Sequence, residues 1–504
     1  MKKKATPKTS PLPQEQAAAP EHGKSGVLTM DEVIAMLKTT RPTFYRWVRS
    51  GKLRGAKIGR QWRFAREDVD RFLNGQEPQI DLPADIDPLI GELKSRLKGL
   101  GVRNGGPEAK GKAARAVDLM VRLGLAMNAS DIHIDPQADG VHLRLRVDGA
   151  LHLVAKFDSR LLPAVAECWK AMAAMDVREK SVPQDGRIVV SVDGKDTDLR
   201  VCCVPAYLGE SVVARILHPE HVMLDLDRLT YAPHDRQRID KWLAAPWGII
   251  LITGPTGCGK TTTLYSCLLK VADSRTKVVS IEDPVEYVLP GLTQIQVNPK
   301  AGLTFERAMR AVFRNDPDVV MLGEVPNVEA MHLCFQTALT GHLVLTTLHA
   351  DEAAAALRRM IDLGCEPFLV ADAAKLIIAQ RLVRRLCPDC SVESAPSPEH
   401  LARAEKLART GGIGWDALPR KYRKAVGCSA CGNLGYRSRT MIAETLEMSP
   451  EIASALRRKA TTEEIRAIAV GQGMTTMAAD GIRRAAEGQL SLAEVLSTVA
   501  GISY

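Results

Sequence analysis

Residues 254–262, GPTGCGKTT, constrain the fold more than any other stretch of this chain. The apolar run GIILIT precedes them, and KTTTLYSCLLKVAD after them carries apolar residues at helical spacing. A strand, a glycine-rich loop and a helix in this order predict a phosphate-binding loop, because glycines let main-chain N–H groups turn toward phosphate oxygens. We expect Lys260 to neutralise the β- and γ-phosphates of a nucleoside triphosphate and the Thr261 hydroxyl to ligate Mg²⁺. The predicted cofactor-binding residues are Gly254, Pro255, Thr256, Gly257, Cys258, Gly259, Lys260, Thr261 and Thr262.

Three further apolar runs, KVVSIED, DVVMLGE and HLVLTTLH, each end in polar residues. Such runs are typical of strands that are covered on both faces in a parallel sheet, whose carboxyl ends hold the ligand-binding groups. Glu286 follows the first run, Glu324 ends the second, and His342 and His349 are the two ends of the third. Hydrolysis needs carboxylates that hold the metal and orient water, although each acid alone also suits an ordinary surface position.

Three motifs beyond the phosphate loop carry a resemblance to a known family. IEDPVEY resembles the Asp box of the type II secretion and type IV pilus assembly ATPases, RNDPDVVMLGE their Walker B segment and TGHLVLTTLHAD their His box. The resemblance spans residues 113–504, in matching order. It implies an α/β fold with a RecA-like P-loop core behind a PAS-like α+β domain. It also implies a cytoplasmic homo-hexamer, peripheral to the inner membrane, that uses ATP with an inner-membrane platform protein to assemble a secretion pseudopilus or a type IV pilus.

The same resemblance assigns roles to candidate catalytic residues. Glu286 is expected to polarise the attacking water, Glu324 to act at Mg²⁺ from beyond its direct ligands, and His349 to sense the γ-phosphate. Arg200 and Arg215, in DLRV and VVARIL, are expected to reach the nucleotide from the smaller domain, since a guanidinium spreads positive charge over phosphate oxygens. Ordinary surface pairing of these two arginines is the alternative.

One short segment departs from the family pattern. After the Walker B glutamate the family has Ile-Arg-Asp, whereas this chain has Val325, Pro326 and Asn327. The change removes an arginine and an aspartate that form an ion pair and adds a rigid proline. A slow or purely nucleotide-gated variant is therefore an alternative to full turnover.

The region before the phosphate loop has the pattern of antiparallel hairpins. VHLRLRVDGALHLV alternates apolar and polar residues around Asp148-Gly149, and RIVVSVDGKDTDLRVCCV does so around Asp193-Gly194. These hairpins predict a small α+β domain. Because SDIHID and RLRVDG resemble the same domain of the family, we interpret Arg144 and Arg146 as scaffold and subunit contacts.

Two C-x-x-C pairs, CPDC and CSAC, predict a metal site. Four thiolates can surround Zn²⁺ tetrahedrally, and the ligands would be Cys387, Cys390, Cys428 and Cys431. Two reduced pairs without metal are the alternative. The segment resembles the zinc insert of secretion-type assembly ATPases, and four protein ligands leave no position for substrate, so the zinc is expected to be structural.

An amino-terminal stretch, VLTMDEVIAMLKTTRPTFYRWVRSGKLRGAKIGRQWRFAREDVDRFL, has the order helix, turn, helix and basic hairpin. It resembles the excisionase-type or MerR-like helix-turn-helix. The resemblance places DNA contacts in residues 27–73, at Thr43, Tyr45, Arg46, Arg49, Lys57, Arg60 and Arg63. Reuse of this fold as a protein-docking module is the other interpretation. A DNA-binding regulator or nucleic-acid-linked ATPase is accordingly the alternative function.

Charge and composition complete the domain plan. The net charge of +9 is compatible with nucleic acid or an anionic membrane but decides neither, and no apolar run reaches the length of a membrane span. The first residues lack the apolar segment of a signal peptide, which predicts a cytoplasmic chain. The predicted units are a disordered tail (1–26), helix-turn-helix (27–75), linker (76–112), PAS-like domain (113–232), RecA-like domain (233–385), zinc insert (386–440) and helical region (441–504).

Overall fold

The computed structural model describes residues 27–49, 53, 55–58, 61–74, 84–102, 111–192, 194–217 and 225–502. The predicted tail, 1–26, lies outside these residues. No helix of the described chain is both long enough and apolar enough to cross a membrane.

The amino-terminal unit is a helix-turn-helix with a wing, as predicted. Thr29 begins its first helix with a capping box shared with Glu32. Its strands pair in the order β1-β3-β2 around a small apolar core that includes Phe44 and Phe64. Its elements are β1 (Val27–Thr29), α1 (Met30–Met36), α2 (Arg41–Arg49), β2 (Ala56–Ile58), β3 (Gln61–Ala65) and α3 (Arg66–Leu73).

The second unit is an antiparallel sheet of the order β6-β5-β4-β9-β8-β7 with helices packed on one face. Asp148 and Gly149 have φ values of 48° and 86°, the backbone that a two-residue hairpin turn requires. The first predicted hairpin is therefore confirmed. The elements are α4 (Asp87–Gly99), α5 (Lys112–Ala126), β4 (Ala129–Gln137), β5 (Gly140–Val147), β6 (Ala150–Phe157), α6 (Leu162–Met172), β7 (Gln184–Val192), β8 (Lys195–Ala206) and β9 (Gly209–Leu217).

Helix α4 corrects the linker predicted for residues 76–112. Leu89, Leu93 and Leu97 are buried and recur every four residues, so one face of α4 joins the core of the α+β unit. The neighbouring prolines and acids concealed this short apolar stripe. The α+β unit therefore begins before residue 113.

The third unit is a seven-stranded sheet of the order β12-β11-β13-β14-β10-β15-β18, covered on both faces as predicted. All neighbours are parallel except β15 and β18. Its elements are α7 (Pro233–Leu243), β10 (Gly248–Thr253), α8 (Lys260–Val271), β11 (Val278–Glu282), β12 (Thr293–Gln296), α9 (Phe305–Val312), β13 (Val319–Leu322), α10 (Val328–Leu339), β14 (Leu343–Leu348), α11 (Ala353–Asp362), α12 (Pro367–Ala373) and β15 (Ala374–Leu386).

The cysteine-rich segment is inserted between β15 and its antiparallel neighbour, the edge strand β18. Strand β18 pairs with β15, so it belongs to the large sheet and crosses the limit predicted at residue 440. The elements after β15 are β16 (Val392–Glu393), α13 (Pro398–Thr410), β17 (Arg423–Lys424), β18 (Tyr436–Glu447), α14 (Pro450–Arg457), α15 (Thr462–Gly471), α16 (Met477–Ala486) and α17 (Leu492–Thr498).

Arg178 of the α+β unit contacts the wing of the helix-turn-helix. The Arg178 guanidinium lies 3.7 Å from the centre of a Trp62 ring, and its Nη2 donates to the Gly55 carbonyl oxygen at 3.1 Å. Burial lowers the pKa of Arg178. A cation over an aromatic face is attractive, and more so when it is desolvated.

Glu444 on β18 holds the first residues of two helices to the sheet. Its buried carboxylate accepts the N–H of Ala353, at the start of α11, at 2.7 Å and that of Met477, at the start of α16, at 2.9 Å. Burial nevertheless raises the pKa of Glu444 from 4.5 to about 7. The folded chain therefore holds this proton at pH values at which the unfolded chain has released it.

This raised pKa predicts a stability that falls as the pH rises. The contribution of the protonated Glu444 is fully present below about pH 4.5 and is lost as the pH passes about 7, a difference of about 3 kcal/mol. Glu444→Gln stays neutral, so its free energy of unfolding should improve relative to wild type by about 2–3 kcal/mol between pH 5 and 7.5. Denaturant titrations of both proteins at the two pH values measure this gap. A gap that does not change with pH would contradict the assignment.

Candidate functional site

The phosphate loop has the backbone that its glycines were predicted to provide. Gly254 and Gly259 have φ values of 146° and 92°, and Gly259 caps helix α8. A Cβ at Gly254 would lie 2.5 Å from the Gln380 carbonyl oxygen and 2.6 Å from the Cys258 Sγ. No side chain fits there. Thr256 and Thr261 are exposed, so the loop opens to solvent.

Lys260 lies over the mouth of this loop. Its Nζ donates to the carbonyl oxygens of Gly254 at 2.8 Å and Pro255 at 3.1 Å. Burial lowers the pKa of Lys260, while the negative charge of Glu324 acts in the opposite direction. A half-buried cation with only carbonyl partners is well suited to receive an anion.

Gln380 on β15 braces the loop from behind. Its side chain is buried, its Oε1 accepts the Thr263 hydroxyl at 2.9 Å and its Nε2 donates to the Cys258 carbonyl oxygen at 3.0 Å. The amide thereby ties the loop and helix α8 to the neighbouring strand. Sequence reasoning missed Gln380, although a lone glutamine within the apolar run LIIAQ was a usable signal.

The predicted carboxylates lie at the same edge of the sheet as the loop. Glu286 follows β11. Glu324 lies just beyond β13, near enough to Lys260 for its negative charge to act on the pKa of the lysine. Arg200 of the α+β unit meets Glu286 with two nitrogens, 3.2 Å and 3.0 Å from the two carboxylate oxygens. The structure thus brings Arg200 to a predicted catalytic acid.

Arg215 lies on β9 directly opposite Arg200 of β8, but its ion pair stays within the α+β unit. Its Nε is 3.0 Å from Asp131, whose other oxygen is 3.5 Å from Arg146, and its side chain is 66% exposed. Arg144 pairs similarly with Asp135 at 2.8 Å. In this conformation Arg215 forms an ordinary ion pair with Asp131. Its predicted contact with a nucleotide stays a prediction.

The two histidines lie at opposite ends of β14. His349 follows the carboxyl end, close to the phosphate loop, and is exposed. The Thr253 hydroxyl at the end of β10 accepts the Ala350 N–H at 2.9 Å, which fixes the backbone directly after His349. His342 lies at the amino end of the strand, where its Nδ1 is 3.0 Å from the Thr337 carbonyl oxygen.

The segment that departs from the family pattern begins helix α10. Asn327 is its N-cap and accepts the Ala330 N–H at 2.9 Å. The Asn327 amide also donates to Glu306 at 2.8 Å, and this bond contributes most to the lowered pKa of Glu306. Because an aspartate would repel Glu306, asparagine preserves the cap and adds an attraction.

The four predicted cysteine ligands converge. All their sulfur atoms lie within 4.8 Å of one another, with separations of 3.9 Å for Cys387 and Cys428, 3.8 Å for Cys390 and Cys431, and 3.7 Å for Cys428 and Cys431. Backbone N–H groups of Cys428 and Gly435 point at the Cys431 sulfur, each at 3.2 Å. Burial opposes ionisation of Cys431, yet these bonds lower its pKa to about 6. The cluster therefore favours a thiolate at this position.

Comparison with known proteins decides the family. Residues 108–497 match the family model described as type II/IV secretion system protein. The chain belongs to this family. Separately, residues 27–77 match a helix-turn-helix domain.

Two curated relatives show the extent of the likeness. The type II secretion system protein HxcR of Pseudomonas aeruginosa is 39% identical over 82% of this chain and 81% of its own length. The type IV pilus assembly ATPase PilB of Thermus thermophilus is 40% identical over 76% of this chain, which spans 43% of PilB. Among solved structures, the ATPase DotB of Legionella pneumophila superposes with a TM-score of 0.58 at 20% identity over 76% of this chain and 95% of DotB. That likeness supports the fold.

The brace formed by Gln380 leads to a stability prediction. Gln380→Leu leaves the buried Cys258 carbonyl and Thr263 hydroxyl without this partner, so the free energy of unfolding should fall by about 3 kcal/mol. The exposed Gln336 on helix α10 provides the matched control, and Gln336→Leu should change stability by less than about 0.5 kcal/mol. Urea unfolding of both variants measures the difference. An equal fall in the free energy of unfolding of the two variants would show that Gln380 does not stabilise the loop.

Proposed function

We propose that this chain hydrolyses ATP at the phosphate loop and uses the reaction to assemble a secretion pseudopilus or a type IV pilus. The observation that carries the proposal is the meeting of Lys260, Glu324 and Glu286 at one edge of the parallel sheet. The loop amides and Lys260 would bind the phosphate chain at this edge.

Each residue has a defined task in this proposal. Lys260 exchanges its carbonyl partners for phosphate oxygens, and Thr261 holds Mg²⁺, which would neutralise charge on the leaving phosphates. Glu286 orients and polarises the attacking water, while Glu324 fixes the metal's surroundings. His349, exposed beyond β14, contacts the γ-phosphate.

The ion pair of Arg200 and Glu286 supports a link between hydrolysis and domain movement. The two side chains belong to different units, and both are about one third exposed. A nucleotide that attracts Arg200 to its phosphates releases Glu286 for water activation. The α+β unit then moves with Arg200, which gives the site a route to mechanical work.

Family membership supports the setting of this activity. The relatives are named as type II secretion proteins and a type IV pilus assembly ATPase. We propose the same setting here: a homo-hexamer, peripheral to the inner membrane, that acts on a platform protein of the assembly machinery.

The cysteine cluster is proposed to hold structural Zn²⁺. Sulfurs at about 2.3 Å from a tetrahedral zinc are about 3.8 Å apart, which agrees with the observed 3.7–3.9 Å. Four thiolates complete such a site and leave no place for substrate. The metal would fix the insert between β15 and β18.

The contacts of the wing favour docking over DNA binding as the role of the helix-turn-helix. Trp62 is covered by Arg178, and the Arg63 guanidinium donates to Gln61 and to the Trp62 carbonyl oxygen. Tyr45 and Arg46 on helix α2 stay exposed, so DNA is the second candidate. The side chains of Arg49 and Lys57 and the whole of Arg60 lie outside the described part of the chain.

Phosphate release by the purified full-length protein tests the hydrolysis. Lys260→Ala removes the cation at the loop, so the turnover should fall by about a hundredfold. Lys270→Ala, at the exposed far end of helix α8, is the matched control and should keep the wild-type rate. Identical rates for wild type and Lys260→Ala would end the proposal.

Metal content tests the zinc site. Dialysed wild-type protein should contain one zinc per chain, and Cys390→Ser or Cys431→Ser should lose it and unfold at a lower temperature, because metal binding stabilises the fold. Cys202→Ser, outside the cluster, is the control. Less than one zinc in wild type, or normal folding after replacement of all four ligands by serine, would refute the assignment.

A further inference from the structure

The hydroxyl of Tyr265 connects the phosphate-loop helix to the backbone of Glu286. Tyr265 lies on helix α8, and its side chain is fully buried. The hydroxyl donates to the Glu282 carboxylate and accepts the backbone N–H of Glu286 at 3.3 Å. One oxygen atom thus links three parts of the site: the helix after Lys260, the last residue of β11 and the loop that carries Glu286.

The surroundings of Glu282 fix the direction of these bonds. Glu282 is 3% exposed, and its Oε1 accepts the Ser280 hydroxyl at 2.5 Å and the Gln294 Nε2 at 3.1 Å. The Gln294 Oε1 accepts the Leu289 N–H at 2.6 Å, which leaves the Nε2 as the donor toward Glu282. All neighbours of this carboxylate therefore donate to it.

Tyr265 must then act as the acceptor for Glu286. Burial and the neighbouring Glu282 raise the pKa of Tyr265, so the phenol keeps its proton. A hydroxyl has a single hydrogen, and Tyr265 donates it in the hydrogen bond to Glu282. The lone pairs of the Tyr265 oxygen are then left to accept the Glu286 N–H. The geometry leaves the phenol no other donor role.

Strand β12 also anchors the loop on both sides of Glu286, and the Gln296 Oε1 accepts the Val285 N–H at 3.3 Å. The Glu286 carboxylate is held by Arg200, which belongs to a different unit. Gln294 fixes the carbonyl oxygen of Tyr287 at 3.0 Å, one residue further along the chain. When Arg200 leaves, the bond from Tyr265 is the direct connection between Glu286 and the helix that holds the phosphates.

We propose that Tyr265 is a positioning residue: its hydroxyl sets the Glu286 backbone relative to helix α8, so that the carboxylate keeps a fixed distance from the γ-phosphate. The inference rests on the proposed role of Glu286. Tyr265 is fully buried and acts through Glu286.

Steady-state kinetics on the full-length protein test this role. Tyr265→Phe keeps the ring, so kcat should fall by about tenfold while KM for ATP stays within about twofold, because only the reacting geometry is altered. In a Glu286→Gln background the same change should cause no further fall, since the group to be positioned is gone. A fall of equal size in both backgrounds would overturn the proposal.

Two control variants separate positioning from general destabilisation. Tyr422→Phe removes a buried hydroxyl that has no partner among the described residues, and it should leave kcat unchanged. Ser280→Ala removes another donor to Glu282 without touching Glu286, so its loss should be less than about threefold. A loss from Ser280→Ala that equals the loss from Tyr265→Phe would assign the effect to Glu282 and overturn the inference.

Hydrogen exchange gives a readout that does not depend on turnover. In nucleotide-free protein the peptide 283–289 should exchange faster in Tyr265→Phe than in wild type or Tyr422→Phe. If Tyr265→Phe does not fold, hydrogen exchange of the wild-type protein still tests the inference. A Glu286 amide that exchanges slowly supports the inference, and one that exchanges as fast as an exposed amide overturns it. Normal wild-type hydrolysis with unchanged Tyr265→Phe kinetics would reject this role alone, whereas absent wild-type hydrolysis would reject the proposed function.

Discussion

The parallel register of the central strands sets the chemistry of this protein. Thr253 pairs with Leu348, and Leu322 with Thr346, so β10, β13 and β14 end at nearly the same level. Strand β11 pairs with β13 in the same direction. The loop amides, the carboxylates and one histidine leave these ends together, because parallel strands direct their carboxyl ends to one edge.

The sequence motifs predicted this edge well because each motif combines a local backbone requirement with a buried strand. GPTGCGKTT needs positive φ values at glycine, and the structure has them at Gly254 and Gly259. The cysteine pairs likewise determine their own geometry, since each C-x-x-C turn presents both sulfurs to one point. The meeting of the two pairs was also expected, and the sulfurs of Cys387 and Cys428 lie 3.9 Å apart.

The parts that sequence reasoning missed depend on contacts between distant segments. In the sequence Gln380 is an isolated glutamine, and its role depends on β15 lying beside β10. Tyr265 likewise has the pattern of a core aromatic residue, and its role depends on the contact between its hydroxyl and Glu282. Arg200 and Arg215 have similar sequence settings, yet only Arg200 reaches Glu286. The sequence predicts a linker at helix α4 because the apolar stripe of this helix is short and needs helix α5 to cover it. Tertiary packing decides such cases.

Strand β15 has a mechanical consequence. It extends from Gln380, behind the phosphate loop, to Leu386, which directly precedes Cys387, and it pairs with β18 on both sides of an irregularity between Arg384 and Leu386. The six residue steps between Gln380 and Leu386 span about 20 Å. The cysteine cluster and the phosphate loop thus lie at the two ends of one stretch of strand that β18 supports. A displacement of β15 at one end is therefore transmitted to the other end.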